Sequence, residues 1–322
     1  MEIGPIRITK NKRPSIDNIG GVDVFRLENN QGVSFDDVIR SVETLNDTPV
    51  RTYKDRVIGS GVYSDKELRV ALELGHIVCD PLPDKVNGSS IDVRLGENFY
   101  LAGNARNVQG MFNPFDADDV NRYFDSPKQA KAARIVIAKT LKNLEYLQES
   151  GVVSDTQFKT QQEYLKDADE IKGLDPEHPI ILLRPGERIL AHTNEFIGIK
   201  APGTTSMQTR STIGRTGVAT CFCAGWGDPG YVNRWTMEVN NLNEFEYIPL
   251  ALGQRVAQLV FIATGGVDIE YSISTGKYQD NVAANINDIK ENWNSSMILP
   301  QQQKDIEDLA SWRERHFNRL SS

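Results

Sequence analysis

The run Thr209 to Asn241, TRSTIGRTGVATCFCAGWGDPGYVNRWTMEVNN, is the chain's densest stretch of chemistry-bearing residues. Arg210, Ser211 and Thr212 set a cation and two hydroxyls at a turn, a combination suited to phosphate oxygens. Arg215 follows five residues after Arg210. Asp228-Pro-Gly230 is a tight-turn sequence carrying a carboxylate, and as a type I or II turn it needs no function. Glu238 lies in a strand-like run between Met237 and Val239. A carboxylate there either faces water or sits in a pocket with partners, and spacing alone leaves both open.

The elements that must position these residues are short strands. Arg188 to His192, Phe196 to Ile199, Arg234 to Val239 and Arg255 to Ile262 read as strands, with Ile180 to Leu183 before them. Turn signals separate them: Arg184-Pro-Gly186, Ala201-Pro-Gly203, Asp228-Pro-Gly230 and Leu252-Gly253. Such spacing indicates a sandwich or barrel. Upstream, Ser64 and Glu67 have capping-box spacing, Leu68, Leu72 and Leu74 form an apolar face, and Gly75 is placed to stop the helix. Ser90 to Leu95 alternates as a strand that Gly96 is expected to end.

Residues 105–178 change character. Ser126-Pro127 predicts a helix start, with Ile137, Leu141, Leu144 and Leu147 at helical spacing. After Gly151, Ser154 and Gln157 form a second capping box ahead of Phe158, Leu165 and Ala168. Past Pro300, Ile306, Leu309, Trp312 and Phe317 share one face of a predicted docking helix. Residues 1–58, with Gly20-Gly21, carry little periodicity.

The 322 residues suffice for one large domain with appendages. A net charge of −8 argues against a nucleic-acid polymer as partner, yet a few local cations can hold a small triphosphate. No apolar run approaches the ~20 residues that span a bilayer, so no membrane is expected and the cytoplasm is the default. The three cysteines, Cys79, Cys221 and Cys223, are expected to be reduced. Cys221 and Cys223 are placed on a strand as packed thiols, where a bridge between them would be strained.

Familiar signatures are missing. There is no phosphate-cradling P-loop and no dinucleotide fingerprint. Zinc-dependent nucleobase deaminases need His-x-Glu and Pro-Cys-x-x-Cys. His76, His178, His192 and His316 each have something other than Glu two residues on, and no Cys-x-x-Cys occurs.

Several ordered motifs instead resemble the dCTP deaminase branch of the dUTPase superfamily. Arg210-Ser-Thr-Ile-Gly-Arg-Thr-Gly217, Ala224-Gly-Trp-Gly-Asp-Pro-Gly-Tyr231 and Thr236-Met-Glu238 carry the resemblance. Val86 to Gly96, Leu183 to Glu187, Leu190 to Glu195, Gln254 to Leu259, Tyr271 and Lys277-Tyr278 agree in order. The resemblance implies a mainly β, distorted barrel of jelly-roll type, assembled as a homotrimer with sites between subunits. It implies zinc-free deamination of dCTP to dUTP and ammonia. Ser211 and the Ala224 carbonyl would hold the attacking water, Glu238 would move the protons, and Arg215 would orient that carboxylate. Arg210, Ser211, Thr212 and Lys277 would bind the triphosphate, with Mg²⁺ bridging its oxygens. Gln258, Tyr271, Tyr278 and Trp226 would line the nucleotide pocket, where Trp226 has a core-filling alternative. Asp228 stands where trimeric dUTPases place the carboxylate that handles the sugar.

Some residues depart from the family pattern. Cys221 replaces a histidine, and Asn233 replaces a glycine, where it is expected to accept a positive φ. Gln279-Asp280 is no clear copy of the family's ending. The implied organisation is an N-terminal extension (1–58), a catalytic core (59–104 and 179–282), a helical insertion (105–178) of unknown partner, and a C-terminal helical tail (283–322). Two further readings stand beside the first. Ala224-Gly-Trp226 resembles the bifunctional branch that also hydrolyses dUTP to dUMP and diphosphate. The unmatched third of the chain fits a nucleotide-binding regulatory protein.

Overall fold

The computed structural model describes residues 61–84, 86, 88–103, 110–151, 153–166, 171–200, 203–264, 267–268, 271, 277–279 and 285–317, omitting the side chains of 164, 166 and 305–308. Of the first 60 residues it describes backbone alone, in two short hairpins, β1 (Ile16–Ile19) with β2 (Val22–Phe25) and β3 (Arg51–Tyr53) with β4 (Arg56–Ile58). Gly20-Gly21, Ala168, Ala201-Pro202 and Asp280 lie outside the described residues.

A curled antiparallel sheet of nine strands carries the site. Its members are β5 (Ile77–Asp80), β6 (Ser90–Leu101), β7 (Lys128–Gln129), β10 (Arg188–Ile199), β11 (Gly203–Thr209), β12 (Val218–Ala219), β13 (Trp226–Gly227), β14 (Val232–Asn241) and β16 (Arg255–Ala263). They run in the order β12-β14-β10-β6-β16-β11-β13, with β5 on β10 and β7 on β6. A second sheet joins β15 (Ile248–Ala251), β9 (Pro179–Leu183) and β8 (Lys131–Ala132). The mainly β expectation holds.

Strand alternation builds the core. Ile91, Val93 and Leu95 of β6 face Trp235, Met237 and Val239 of β14 within one cluster, each of them buried. Side chains of this size contribute about 1.5–3 kcal/mol each when fully buried. The same alternation turns Thr236 and Glu238 to the other face, which is half-buried.

The strand from Ser90 does not end at Gly96; it continues to Leu101. Ser90 to Arg94 pair with β16, whereas Leu95 and residues 99–101 pair with β10, so β6 changes partners around Gly96. A Cβ on Gly96 would stand 2.2 Å from His192 Cε1. The glycine is needed for that close approach and terminates nothing. Strands expected at Arg188–His192 and Phe196–Ile199 are one strand, β10, with an irregularity between His192 and Phe196 that lets the sheet bend.

Helix α1 (Asp65–Glu73) starts on the anticipated capping box, Ser64 N donating to Glu67 Oε2 at 2.7 Å, and Gly75 follows it at φ +72. Helix α2 (Ala117–Phe124) was not legible from spacing. Ser126-Pro127 does not open a helix: β7 and β8 intervene, and α3 (Ala133–Glu149) begins later. No side chain caps it; the carbonyls of His178 and Pro176 accept from Ala133 N and Arg134 N instead. The Ser154–Gln157 box does cap α4 (Asp155–Lys166), and Leu144, Phe158 and Leu165 close the hairpin. After α6 (Ile286–Asn292) and a 3-10 turn at Ser295–Ile298 comes α7 (Ile306–Phe317), where Leu309, Trp312 and Phe317 are exposed. Among the described residues no helix is long and apolar enough to cross a membrane.

Candidate active site

Glu238 sits midway along β14, directly opposite Leu190 of β10. The strand's core-facing residues fix its direction, so its carboxylate enters a cavity of about 590 Å³. The loop after β12 folds back over it. Backbone N–H groups of Cys223 and Ala224 donate to Glu238 Oε2 at 2.8 and 3.1 Å. Charge-assisted bonds of this kind hold a carboxylate firmly. Oε1 accepts from no protein donor among the described residues, so it has room for a water.

Asp228 reaches the same cavity from the turn between β13 and β14. Tyr231 N donates to Asp228 O at 3.0 Å and Gly230 takes φ +90, the geometry of a type II turn. Gly227 is equally constrained, because a Cβ there would meet the Trp235 ring at 2.2 Å. Trp226 lines the cavity and stays 63 % exposed, so it does not fill the core.

The C-terminal segment closes another side. Tyr271, Lys277 and Tyr278 all line the cavity. Tyr271 N donates to Pro229 O at 2.8 Å, and the Tyr271 ring meets that of Tyr231 edge to face at 5.2 Å. Asn233 is not in a left-handed conformation; Asp125 is the non-glycine residue with positive φ among those described. Asn233 is paired with Ile197 within β14, and its Nδ2 donates to Tyr278 O at 2.9 Å. Buried Gln279 accepts from Val232 N at 2.8 Å. Two amide side chains therefore fasten the segment to the strand that bears Glu238.

The remaining expected residues lie elsewhere in the chain. Ser211, Thr212 and Arg215 occupy the exposed short helix α5 (Ser211–Gly214) and its end, and none of them lines the cavity. Among the described residues no bond joins Arg215 to Glu238; amides occupy the carboxylate instead. Arg210 is salt-bridged to Asp92 at 3.2 Å, and Arg255 shares that carboxylate. Gln258 pairs with Asp92 across the sheet. Asp92 and Arg255 line a second cavity of about 510 Å³ with Asp84 and Arg94.

The cysteines differ from expectation. Cys221 and Cys223 lie in a bend, not a strand, and Cys223 is exposed. Burial pushes the Cys221 thiol up to about 11, with the neighbouring Glu238 charge acting the same way. Among the described residues no group of three or more His, Cys, Asp or Glu gathers as a metal site.

Sequence reasoning missed several cavity residues: Arg188, Leu190, Thr236, Phe124, Ile298 and Pro300. Thr236 was recoverable, two residues before Glu238 and hence on its face. Leu190 and Arg188 required the β10–β14 register, and the other three required the tertiary fold.

One cavity thus gathers a carboxylate from a strand, a second from a turn and a lysine from the C-terminal segment. A family model described as dCTP deaminase-like matches residues 143–264. The chain is 30% identical over 204 residues to a dCTP deaminase, dUMP-forming, of Methanobrevibacter smithii, covering 62% of this chain and 79% of that protein. It is 29% identical over 224 residues to the protein of that name from Methanopyrus kandleri, covering 67% and 90%. A crystal structure of the 2'-deoxycytidine 5'-triphosphate deaminase of Agrobacterium tumefaciens aligns with TM-score 0.39 and 16% identity, over 63% of this chain and about half (49%) of that one. The chain belongs to the dCTP deaminase family.

Proposed function

We propose that this enzyme hydrolyses the C4 amino group of dCTP, giving dUTP and ammonia, with Glu238 as the group that moves protons. The observation that carries the reading is the Glu238 carboxylate, tied through Oε2 to two backbone amides and open at Oε1, inside a cavity. Oε1 takes a proton from water as its oxygen bonds C4; the same carboxyl returns that proton to the departing nitrogen. One acid–base group serves both halves. Lys277 supplies positive charge for the phosphates, and Tyr271 and Tyr278 enclose the nucleotide.

Ser211, Arg215, Arg210 and Thr212 act from a neighbouring subunit of a homotrimer. Support for this is that Ser211, Thr212 and Arg215 are exposed and that neither they nor the half-buried Arg210 line the Glu238 cavity, beside family motifs that imply shared sites. Asp228 adds one carboxylate to the cavity beside Glu238, a donor set that fits Mg²⁺ held mainly through phosphate oxygens. Bound there, Mg²⁺ would neutralise phosphate charge.

A second reading extends the first: dUTP is hydrolysed onward to dUMP and diphosphate. Asp228 shares the cavity of Glu238, which favours it, and relatives carry the name dUMP-forming. The test is ammonia release from dCTP, with dCTP and dUTP products resolved separately. Glu238→Gln is expected to cut ammonia release by about 10²–10⁴-fold while triphosphate binding stays nearly intact. Wild-type deamination by that variant would remove the assigned role. Diphosphate formed from dUTP supports the second reading; dUTP left intact rejects it.

A further inference from the structure

We infer that Phe124 and Ile298 decide which pyrimidines this cavity admits, by walling the C5–C6 edge of the base. The inference rests on the deaminase reading and adds a specificity filter to it. Glu238 stands directly opposite Leu190. Leu190 belongs to a small apolar cluster with Tyr100, Val120, Phe124, Ile298 and Leu299, separate from the main core. Of these, Leu190, Phe124 and Ile298 line the cavity, joined by Pro300.

The wall is built from two segments remote in sequence. Phe124 closes α2, and Ile298 ends the 3-10 turn after α6. Both lie outside residues 143–264, the part matched by the family model. The wall is also well braced: the Phe124 ring meets Tyr123, Phe112 and Tyr100 edge to face at 4.9, 6.2 and 6.5 Å. Phe124 and Ile298 are each 4% exposed.

Base chemistry sets what such a wall can face. A cytosine with C4 at Glu238 presents N3 on one side of that atom and C5 on the other. N3 and O2 are acceptors, and setting them against Phe124, Ile298 and Leu190 would strand them without donors. C5 and C6 carry only hydrogens and lose nothing there. A substituent on C5 would therefore press on Phe124 and Ile298, making these two residues the determinants of whether C5-substituted cytosine nucleotides are accepted.

The experiment compares kcat/KM for dCTP and 5-methyl-dCTP in wild type, Phe124→Leu, Ile298→Ala and the milder Ile298→Val, with thermal melts to verify folding. One methyl group in a packed pocket is worth about 10–200-fold in discrimination. Phe124→Leu and Ile298→Ala are expected to raise the 5-methyl-dCTP to dCTP ratio by about tenfold or more, and Ile298→Val by less. A second arm measures Kd for both triphosphates in the Glu238→Gln background, where no turnover is needed. A ratio that moves there while wild type releases no ammonia would sustain the wall and sink the reaction. A ratio within about twofold of wild type in every folded variant, in both arms, would overturn the inference.

Discussion

His192 should make the fold acid-labile, and the size of the effect follows from its surroundings. The ring is fully buried in β10. Its Nδ1–H donates to Thr193 O at 2.8 Å, and its Nε2 accepts from Asn98 N at 3.2 Å. Both nitrogens are satisfied only in the neutral ring, because a second proton would set N–H against N–H. Burial pushes the pKa down to about 4; the Thr193 carbonyl and Glu97 oppose this, while Arg234 adds to it. In the unfolded chain the ring titrates near ~6.5. Between these values the unfolded state holds the extra proton, so stability is complete above the unfolded pKa and falls as pH drops towards the folded one. Moving from about pH 7 to about pH 5 should cost about 2 kcal/mol, and reaching about pH 4 about 3 kcal/mol. Glu97 enters only at the acid end of this window. Burial disfavours its charge, but bonds from its own backbone N–H and from Arg234 outweigh that and hold it below the usual carboxylate range. Its contribution is therefore full above the unfolded carboxylate value of about 4.3 and is lost progressively as pH falls below it. Urea unfolding followed by tryptophan fluorescence at several pH values measures the loss, with His192→Gln as reference. The wild type should show the slope and the variant should lack it. Equal slopes in the two proteins would refute the reasoning.

Two further predictions concern the site's assembly. Gln279→Ala leaves the buried Val232 N–H without its acceptor, a cost of about 1–3 kcal/mol. The closing segment should loosen, so KM for dCTP rises about tenfold with a smaller change in kcat; Gln279→Glu, which keeps an acceptor, should restore part of it in steady-state kinetics. If sites are shared between subunits, mixing inactive Glu238→Gln and Arg215→Ala chains through a denaturation–renaturation cycle should regenerate ammonia release. Two dead parents giving a dead mixture would place all the chemistry within one chain.

Much of this was readable in the residue order, for identifiable reasons. The buried face of β14 follows from Trp235, Met237 and Val239, and that alternation alone sends Glu238 to the opposite side. The capping boxes at Ser64 and Ser154 were equally legible, since each is a local contact between residues three apart. What failed was non-local. Gly96 read as a stop because glycine is poor in strands, whereas a histidine about a hundred residues away needs the space. Asn233 read as a left-handed residue because its partner, the Tyr278 carbonyl, arrives from a distant segment. Helix α2 is eight residues long, too short for periodicity to stand out, though Asp116 does cap it through Asp118 N. Nothing in the spacing of Phe124 or Ile298 announces that they meet beside Glu238.

That meeting binds the fates of two regions with no sequence in common. Leu190, Phe124, Ile298 and Leu299 share one small cluster, so neither α2 nor the 3-10 turn at Ser295–Ile298 is an independent ornament on the sheet. Trimming one would strip the other of its cover and admit solvent beside Glu238. Any transplant of the nine-stranded sheet into a shorter scaffold must carry both pieces or neither.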